Sequence, residues 1–142
     1  MRPRLCHNRV MEWNPLVPEL TVTELARSLR FYVDGVGFAV RYTREDPPFA
    51  YLDLDGAQIM LEQDHESAWV TAAPEHPRGR GLNLQIEVPD VSAARDRLLA
   101  AGHDAFRELH ESRSRVGDGW ESQREYLVLD PDGYLIRLVQ IL

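Results

Sequence analysis

The sequence predicts an α+β fold in which two βαβββ modules form a curved, mixed sheet around a cavity. The first observation is a repeat, because the frame D-G-x-x-I-x-L-x-Q occurs at residues 55–63 and again at 132–140, which indicates one supersecondary unit used twice. The second observation is that a strand leading into a helix precedes each copy, at 22–29 and at 88–95. The two halves therefore run in the same order. We expect the inward residues of both copies to meet across one cavity.

The first half predicts one helix and four strands. Thr21 or Thr23 can cap a helix over 24–33, in which leucines and aromatic residues supply an apolar stripe. Asp55-Gly56 is typical of a tight hairpin turn. The strands are predicted at 16–22, 38–43, 49–54 and 57–63.

The second half predicts the same elements with a longer loop. Residues 82–88 alternate between apolar and polar side chains, which is typical of a strand whose polar face is Asn83, Gln85 and Glu87. A helix over 91–101 ends at a glycine. The remaining strands are predicted at 104–110, 123–129 and 134–141, with a loop around 113–119 and a type I turn at 130–133.

We expect one compact domain, because 142 residues with 44% hydrophobic content supply one core. Residues 64–79 form a polar connection in which a short helix is predicted near 67–72. The first ten residues carry three arginines and no apolar periodicity, so we interpret them as a loose arm, or Met11 as the true start. The chain is divided into an N-terminal arm at 1–15, a first module at 16–73, a linker at 74–80 and a second module at 81–142.

The net charge of −7 argues against a nucleic-acid partner, because phosphate binding needs a cationic stripe and the arginines are scattered among acids. An acidic surface suits a cationic ligand, although moderate negative charge also serves solubility alone. The single cysteine, Cys6, excludes an internal disulfide and fits a reducing compartment. No apolar run approaches the length of a membrane span, and the N-terminus lacks the apolar region of a signal peptide. We therefore expect a cytoplasmic protein without nucleic-acid or membrane partners.

Several short motifs follow one another along the chain, and they are Pro18-Glu19-Leu20, Ser28-Leu29-Arg30-Phe31-Tyr32, Gly37-Phe38, Gly79-Arg80-Gly81, Arg124-Glu125-Tyr126 and Asp130-Pro131-Asp132-Gly133-Tyr134. With these motifs the chain resembles the glyoxalase, bleomycin-resistance and extradiol-dioxygenase superfamily, also called the vicinal oxygen chelate superfamily. The resemblance covers nearly everything after Met11 and implies paired βαβββ modules. It is only weakly specific for the activity, since that fold carries several chemistries.

Metal enzymes of that superfamily place one ligand in the first strand and one in the last strand of each module. By the resemblance, these positions fall at Val17, Met60, Asn83 and Arg137. None of the four is a good ligand for a divalent ion, and a fixed guanidinium would repel the metal and its bound water. Other donors lack the spacing of a metal site, and they are Glu19, Glu62, Gln85, His65, His76, His103 and His110. We therefore predict a site without a metal or another cofactor.

The sequence also lacks a recognisable nucleophile with its base, which favours a binding protein over an enzyme. The chain looks most like the bleomycin-resistance branch, and this resemblance implies a dimer that sequesters a drug in grooves shaped by both subunits. Glycopeptides of the bleomycin class present planar heteroaromatic rings and a cationic tail, which aromatic faces and carboxylates would bind. The expected ligand-binding residues are Tyr42, Phe49, Tyr51, Met60, Glu62, Trp69, Asn83, Gln85, Trp120, Arg124, Tyr126 and Arg137.

Some of these residues also fit a purely structural role. Phe49 and Tyr51 fit half-buried sheet residues, and Tyr126 fits the core. Trp69 and Trp120 are sharper candidates, because each is expected in a polar connection with no obvious core to join. Either indole could instead pack against a second subunit.

Two further alternatives concern the cavity and the activity. Arg137 and Glu62 could form an internal ion pair that holds the sheet closed and binds nothing. A metal-dependent glyoxalase-like lyase, isomerase or dioxygenase of the same fold is the competing function, and an uncharacterised metabolite-binding module is the third. With any of these functions we expect a homodimer, in which the modules pair within one chain or by exchange between chains.

Overall fold

The computed structural model describes residues 12–142, so the expectations for the arm at 1–10 and for Cys6 fall outside the described residues. The elements of the first half are β1 (Glu19–Val22), α1 (Leu25–Leu29), a π-helix (Arg30–Val36), β2 (Ala39–Glu45), β3 (Pro48–Leu54) and β4 (Ala57–Gln63). Those of the second half are β5 (Asn83–Glu87), α2 (Val91–Ala100), β6 (Ala105–Val116), β7 (Gly119–Leu129) and β8 (Leu135–Ile141). Within this range, no helix is long and apolar enough to cross a membrane.

The strands form two four-stranded sheets of matching topology. The orders are β1-β4-β3-β2 and β5-β8-β7-β6, with a parallel first pair and antiparallel neighbours in each sheet. The registers also match, because Glu19 lies opposite Met60 in one sheet and Gln85 opposite Arg137 in the other. This confirms the predicted α+β fold of two βαβββ modules.

One face of each sheet packs against the helices and forms the core. Strand residues alternate between faces, so alternate side chains of β1, β3, β4, β5, β7 and β8 join this core. From the first sheet the core receives Leu20, Val22, Ala50, Leu52, Ile59 and Leu61. From the second it receives Ile86, Val88, Tyr126, Val128, Ile136 and Leu138.

The glutamine that ends each repeat caps the helix of its own module. The Gln63 side-chain oxygen accepts the backbone N–H of Leu25 at 2.9 Å, and that of Gln140 accepts the N–H of Val91 at 3.1 Å. The first N–H groups of a helix lack partners within the helix, so this bond fastens each helix to the last strand of its module. The glutamine that the two repeats share therefore has the same structural role in both modules.

The two modules meet mainly through their helices, where the π-helix packs against α2. The buried Tyr32 hydroxyl donates to Asp130 Oδ2 at 2.7 Å, and Arg97 Nε donates to the carbonyl of Gly35 at 2.9 Å. Asp130 belongs to the segment 130–133, for which the sequence predicts only a type I turn. This turn therefore also serves as part of the junction between the modules.

Three predicted elements differ from the structure. The predicted helix at 24–33 continues to Val36 with π-helical geometry and ends at Gly37, whose φ of 112° favours glycine. The predicted short helix near 67–72 is irregular chain. The predicted loop at 113–119 is instead the end of a long hairpin, because β6 and β7 stay paired as far as Val116 and Gly119.

Candidate functional site

The face of the first sheet that points away from the helices carries most of the residues selected by the sequence analysis in that half. Ala50 and Leu52 face the core, so their neighbours on β3 point to the opposite side. We call this side the open face of the first sheet. It consists of Glu19, Thr21, Tyr42, Arg44, Phe49, Tyr51, Asp53, Gln58, Met60 and Glu62.

Aromatic rings cluster on this open face. Tyr42 stacks on Tyr51 with ring centroids 5.4 Å apart and an interplanar angle of 17°, and it lies 5.7 Å from Phe49. The guanidinium of Arg44 lies 4.7 Å from the centroid of the Phe49 ring. Phe49 and Tyr51 are buried although they do not belong to the helix-facing core, since the neighbouring rings cover them.

An N-terminal segment, which we call the strap (residues 12–18), crosses the same face. It places Trp13 against the cluster, with ring centroids 4.7 Å from Tyr51 and 5.7 Å from Tyr42. The backbone N–H of Asn14 donates to Gln58 Oε1 at 2.8 Å. The sequence predicts an arm at 12–15, and Trp13 is not among the predicted binding residues, although a tryptophan just before the first strand is a signal for one.

A cavity of about 320 Å³ adjoins the cluster. Its lining combines two carboxylates, an imidazole, a guanidinium and an indole that is 94% exposed. The lining residues are Glu19, Arg44, Glu62, His65, Ser67 and Trp69. Glu62 and Trp69 were selected from the sequence as binding residues, whereas Glu19 and His65 were considered only as metal donors and Arg44 was missed.

The two carboxylates influence each other. Burial raises the pKa of Glu19 above its usual value, and the negative charge of Glu62 raises it further, while Arg44 and His65 act in the opposite direction. His65 Nε2 lies 3.4 Å from Glu62 Oε2. A positive charge placed in the cavity would relieve the repulsion between the two carboxylates.

The corresponding open face of the second sheet is polar and contains an arginine. Arg137 donates to the side-chain oxygen of Gln85, and His110 Nε2 lies 3.1 Å from Glu125 Oε2. Burial alone would raise the pKa of Glu125, but hydrogen bonds from Gln123, Ser112 and His110 and the charge of Arg137 outweigh it and lower the pKa. The interpretation of Arg137 and Glu62 as an ion pair is wrong for the described residues, since each has a different neighbour.

Three selected residues lie away from both open faces. Tyr126 is fully buried in the helix-facing core. Arg124 Nη2 on β7 pairs with Glu111 Oε1 on β6 at 3.2 Å. Trp120 lies at the far end of the β6–β7 hairpin, 55% exposed, with the Arg113 guanidinium 5.0 Å from its ring.

The positions at which the superfamily would hold a metal do not fit a divalent ion. Met60, Asn83 and Arg137 lie on the open faces and Val17 lies two residues before the start of β1. The side chains at these positions are therefore a thioether, an amide, a guanidinium and an apolar group. In residues 12–142, no group of three or more His, Cys, Asp or Glu side chains is placed to hold a metal ion.

The two open faces do not close on each other within the described chain. No strand of one sheet is hydrogen-bonded to a strand of the other, and the modules meet chiefly through the π-helix and α2. The expectation that inward residues of both copies meet across one cavity is therefore not met within one chain. The physical reason is that the modules contact each other chiefly through the π-helix and α2 rather than through their open faces.

Two four-stranded sheets of matching topology, each packed on its helix, define an α+β protein built from two βαβββ modules. The chain belongs to the glyoxalase/bleomycin resistance protein/dioxygenase superfamily, since the model of that family matches residues 14–138. The resemblance inferred from the motifs is thus confirmed.

Relatives of the chain include bleomycin resistance proteins and lactoylglutathione lyases. The chain is 27% identical over 131 residues to a bleomycin resistance protein of Geobacillus stearothermophilus, covering 87% of this chain and 94% of the relative. It is 30% identical over 125 residues to a lactoylglutathione lyase of Haemophilus influenzae, covering 85% and 87%. Among solved structures, TioX from Micromonospora sp. ML1 has a TM-score of 0.67 and 26% identity, covering 92% of this chain and all of the other.

Proposed function

We propose that this protein binds a planar, cationic small molecule of the bleomycin class and sequesters it. The observation that carries the proposal is the joint presence of stacked aromatic rings and two carboxylates on the open face of the first sheet. The half-buried Tyr42 and the exposed Trp69 offer ring faces on which a planar heteroaromatic group can stack, and the carboxylates bind its cationic tail. Similarity to bleomycin resistance proteins supports the same class of ligand.

The negative charges of the cavity favour a cationic ligand in particular. Burial raises the pKa of Glu19, and the negative charge of Glu62 raises it further. A ligand cation between them would be favoured by both charges. The exposed indole of Trp69 at the rim offers a face for the same positive group.

A second copy of the chain belongs to the proposal. The open face of the first sheet carries acids and rings, while that of the second carries Arg137, Gln85 and Asn83. These faces do not meet within one chain, so a partner subunit would enclose the ligand by laying its second module over the first. We place the working protein in the cytoplasm, with modules at 16–73 and 81–142 joined by the linker at 74–80.

A second candidate is a glyoxalase-like lyase, which the 30% identity to a lactoylglutathione lyase favours. The donor set at Val17, Met60, Asn83 and Arg137 weighs against it, because it does not fit the divalent ion of such enzymes. Assay of lactoylglutathione formation from methylglyoxal and glutathione, with added divalent ions, separates the two functions.

The direct test is calorimetric titration of the protein with metal-free bleomycin. We expect saturable binding, and Glu62→Gln should weaken it by about 3- to 30-fold because one of the two carboxylates is neutralised. The matched control is Glu75→Gln, which removes the same charge from an exposed linker position and should leave the affinity unchanged. Absence of binding by the unmodified protein, or equal losses in both variants, would refute the proposal.

A further inference from the structure

The strap is fastened to the open face on both sides of Trp13. Before Trp13, the carbonyl of Glu12 accepts the side-chain N–H of Gln58 at 2.7 Å. After it, the Asn14 N–H donates to the same side chain at 2.8 Å, and the Asn14 side chain bonds the carbonyl of Gly56. Gln58 is itself buried and bonds Asp53 Oδ2 at 2.7 Å. The backbone that carries the indole is therefore held in one place.

The indole stands at a right angle to the tyrosine pair. Its plane makes an angle of 89° with the ring of Tyr51 and 75° with the ring of Tyr42, whereas the two tyrosine rings are within 17° of parallel. Edge-to-face contacts of this kind are favourable for aromatic pairs. Together the three rings form an aromatic corner with one wall supplied by Trp13.

The wall is open to a ligand. Trp13 remains 56% exposed in spite of its contacts with the tyrosines. Because the backbone of Trp13 is already held in place, its side chain loses little further conformational entropy when a ligand stacks on it. This lowers the cost of binding. A role in covering the tyrosines alone would not require so much free indole surface.

The corner is continuous with the acidic cavity. Tyr42 contacts the Phe49 ring, Phe49 lies beneath the Arg44 guanidinium, and Arg44 lines the cavity beside Glu19. A ligand with a planar group at one end and a cationic group at the other would span this path. The aromatic and charged parts of the face thus belong to one site.

We propose that Trp13 is a specificity-determining wall of this site, against which the planar ring system of the ligand stacks while its cationic group lies in the cavity. The inference rests on the proposed function, because it names how the same site selects aromatic cations. It also assigns the strap a binding role that the pattern of strands and helices does not predict.

The test compares an aromatic with a non-aromatic cation. Trp13→Ala should weaken binding of metal-free bleomycin, and of thioflavin T as a planar cation of permanent charge, by about 5- to 150-fold. It should leave the affinity for spermidine, which has charge and no ring, within about twofold of the unmodified protein, because the carboxylates remain. Trp13→Phe should retain most of the binding of both aromatic probes.

The matched control is Leu16→Ala, which truncates another apolar side chain of the strap that is 82% exposed, and it should change no affinity. Thermal unfolding of each variant verifies that the fold persists. Unchanged or tighter binding of the aromatic probes by Trp13→Ala would overturn the inference, since the indole would then be a mere cover. Equal losses for spermidine and the aromatic probes would also overturn it, because the effect would be structural.

The outcomes separate this inference from the proposed function. If the unmodified protein binds thioflavin T but not bleomycin, and Trp13→Ala weakens thioflavin T alone, the wall is supported and bleomycin sequestration fails. If bleomycin binds equally to the unmodified protein and to Trp13→Ala, sequestration stands and the wall fails. If neither aromatic probe binds the unmodified protein, both fail.

Discussion

The pair of glutamates in the cavity controls how the site responds to pH. Glu19 lies on β1 and Glu62 on the adjacent strand β4, and burial together with the charge of Glu62 raises the pKa of Glu19. A proton on Glu19 competes with a ligand cation, because both neutralise the same charge. The site therefore begins to lose its attraction for cations at a higher pH than a pair of ordinary glutamates would.

We predict that the affinity for thioflavin T falls as the pH is lowered through the raised pKa of Glu19. The sign follows from the ionised carboxylate being the binding form, so affinity is complete above that pKa and decreases below it. Glu62→Gln removes the charge that helps raise the pKa of Glu19, and the decrease should then occur at lower pH. Fluorescence titrations from pH 8 to pH 4 measure both profiles.

Glu75→Gln serves as the control for this pH profile, since it changes the net charge without touching the cavity. Its profile should superimpose on that of the unmodified protein. A profile that is flat in all three proteins would remove Glu19 from the binding site.

Residues on regular strands could be predicted from alternation, and those near irregular backbone could not. Phe49, Tyr51 and Glu62 were found because β3 and β4 pair without interruption. Arg44 was missed because β2 was expected to end at 43, whereas pairing continues to Glu45. Trp13 could not be assigned because its place depends on hydrogen bonds to residues more than forty positions away.

At the scale of elements, the two turns of the repeat look alike in sequence but have different surroundings. Gly56 and Gly133 occupy equivalent positions with φ of 95° and 93°. A Cβ at Gly56 would meet nothing within 4 Å, whereas one at Gly133 would lie 2.5 Å from the Cα of Pro77. The second turn is thus packed against the linker, whereas the first has open space beside its glycine.

We predict that Gly133→Ala destabilises the protein more than Gly56→Ala. Both variants carry the strain of a left-handed backbone, about 1–2 kcal/mol, but only Gly133→Ala adds a collision with the backbone of the linker, about 1–3 kcal/mol more. Urea unfolding of the two variants and the unmodified protein measures the difference. Equal losses would mean that the linker moves aside without cost.

The tip of the β6–β7 hairpin was predicted as a loop because of its composition. Its residues 111–122 are mostly polar or charged and lack the apolar alternation that indicates a strand. The pairing persists because antiparallel backbone bonds do not require an apolar face, and the rings and guanidinium groups of Trp120, Arg113 and Arg115 pack on each other. Composition alone does not report such local packing.

At the scale of the whole molecule, one carboxylate makes several of the contacts between the two modules. Asp132 belongs to the last turn of the second module and accepts the backbone N–H of Thr23 at 3.1 Å. It also accepts the Thr23 hydroxyl and lies 3.3 Å from Arg27 Nη2. The start of the first helix is thereby held by a residue more than a hundred positions away.

We predict that Asp132→Asn lowers the free energy of unfolding by about 1–3 kcal/mol, because a buried acceptor shared by several donors loses its charge. Asp55→Asn is the matched control at the equivalent position of the first repeat, where the side chain is exposed and φ is 49°. Asparagine tolerates that backbone, so the control should be near neutral. Urea unfolding measures the free energy of unfolding of both variants. If Asp132→Asn leaves it unchanged, the modules are held together by the contacts between their helices and not by Asp132.

The fold as a whole could be predicted because the sequence contains the same repeat unit twice. The frame at 55–63 and 132–140 fixed the last strand of each module, and Asp-Gly located the turn before it. The arrangement of the modules could not be predicted, because it depends on packing between the π-helix and α2 and on bonds such as Tyr32 to Asp130. Such contacts join residues with no common periodicity.

The alternation of each strand also bears on how such a protein can diverge after duplication. Ile59 and Leu61 maintain the core while Met60 between them faces outward, and Ile136 and Leu138 do the same on either side of Arg137. Substitutions at the outward positions leave the inherited architecture intact. One ancestral unit could in this way give rise to one acidic, ring-bearing surface and one arginine-bearing surface, each free to acquire its own chemistry.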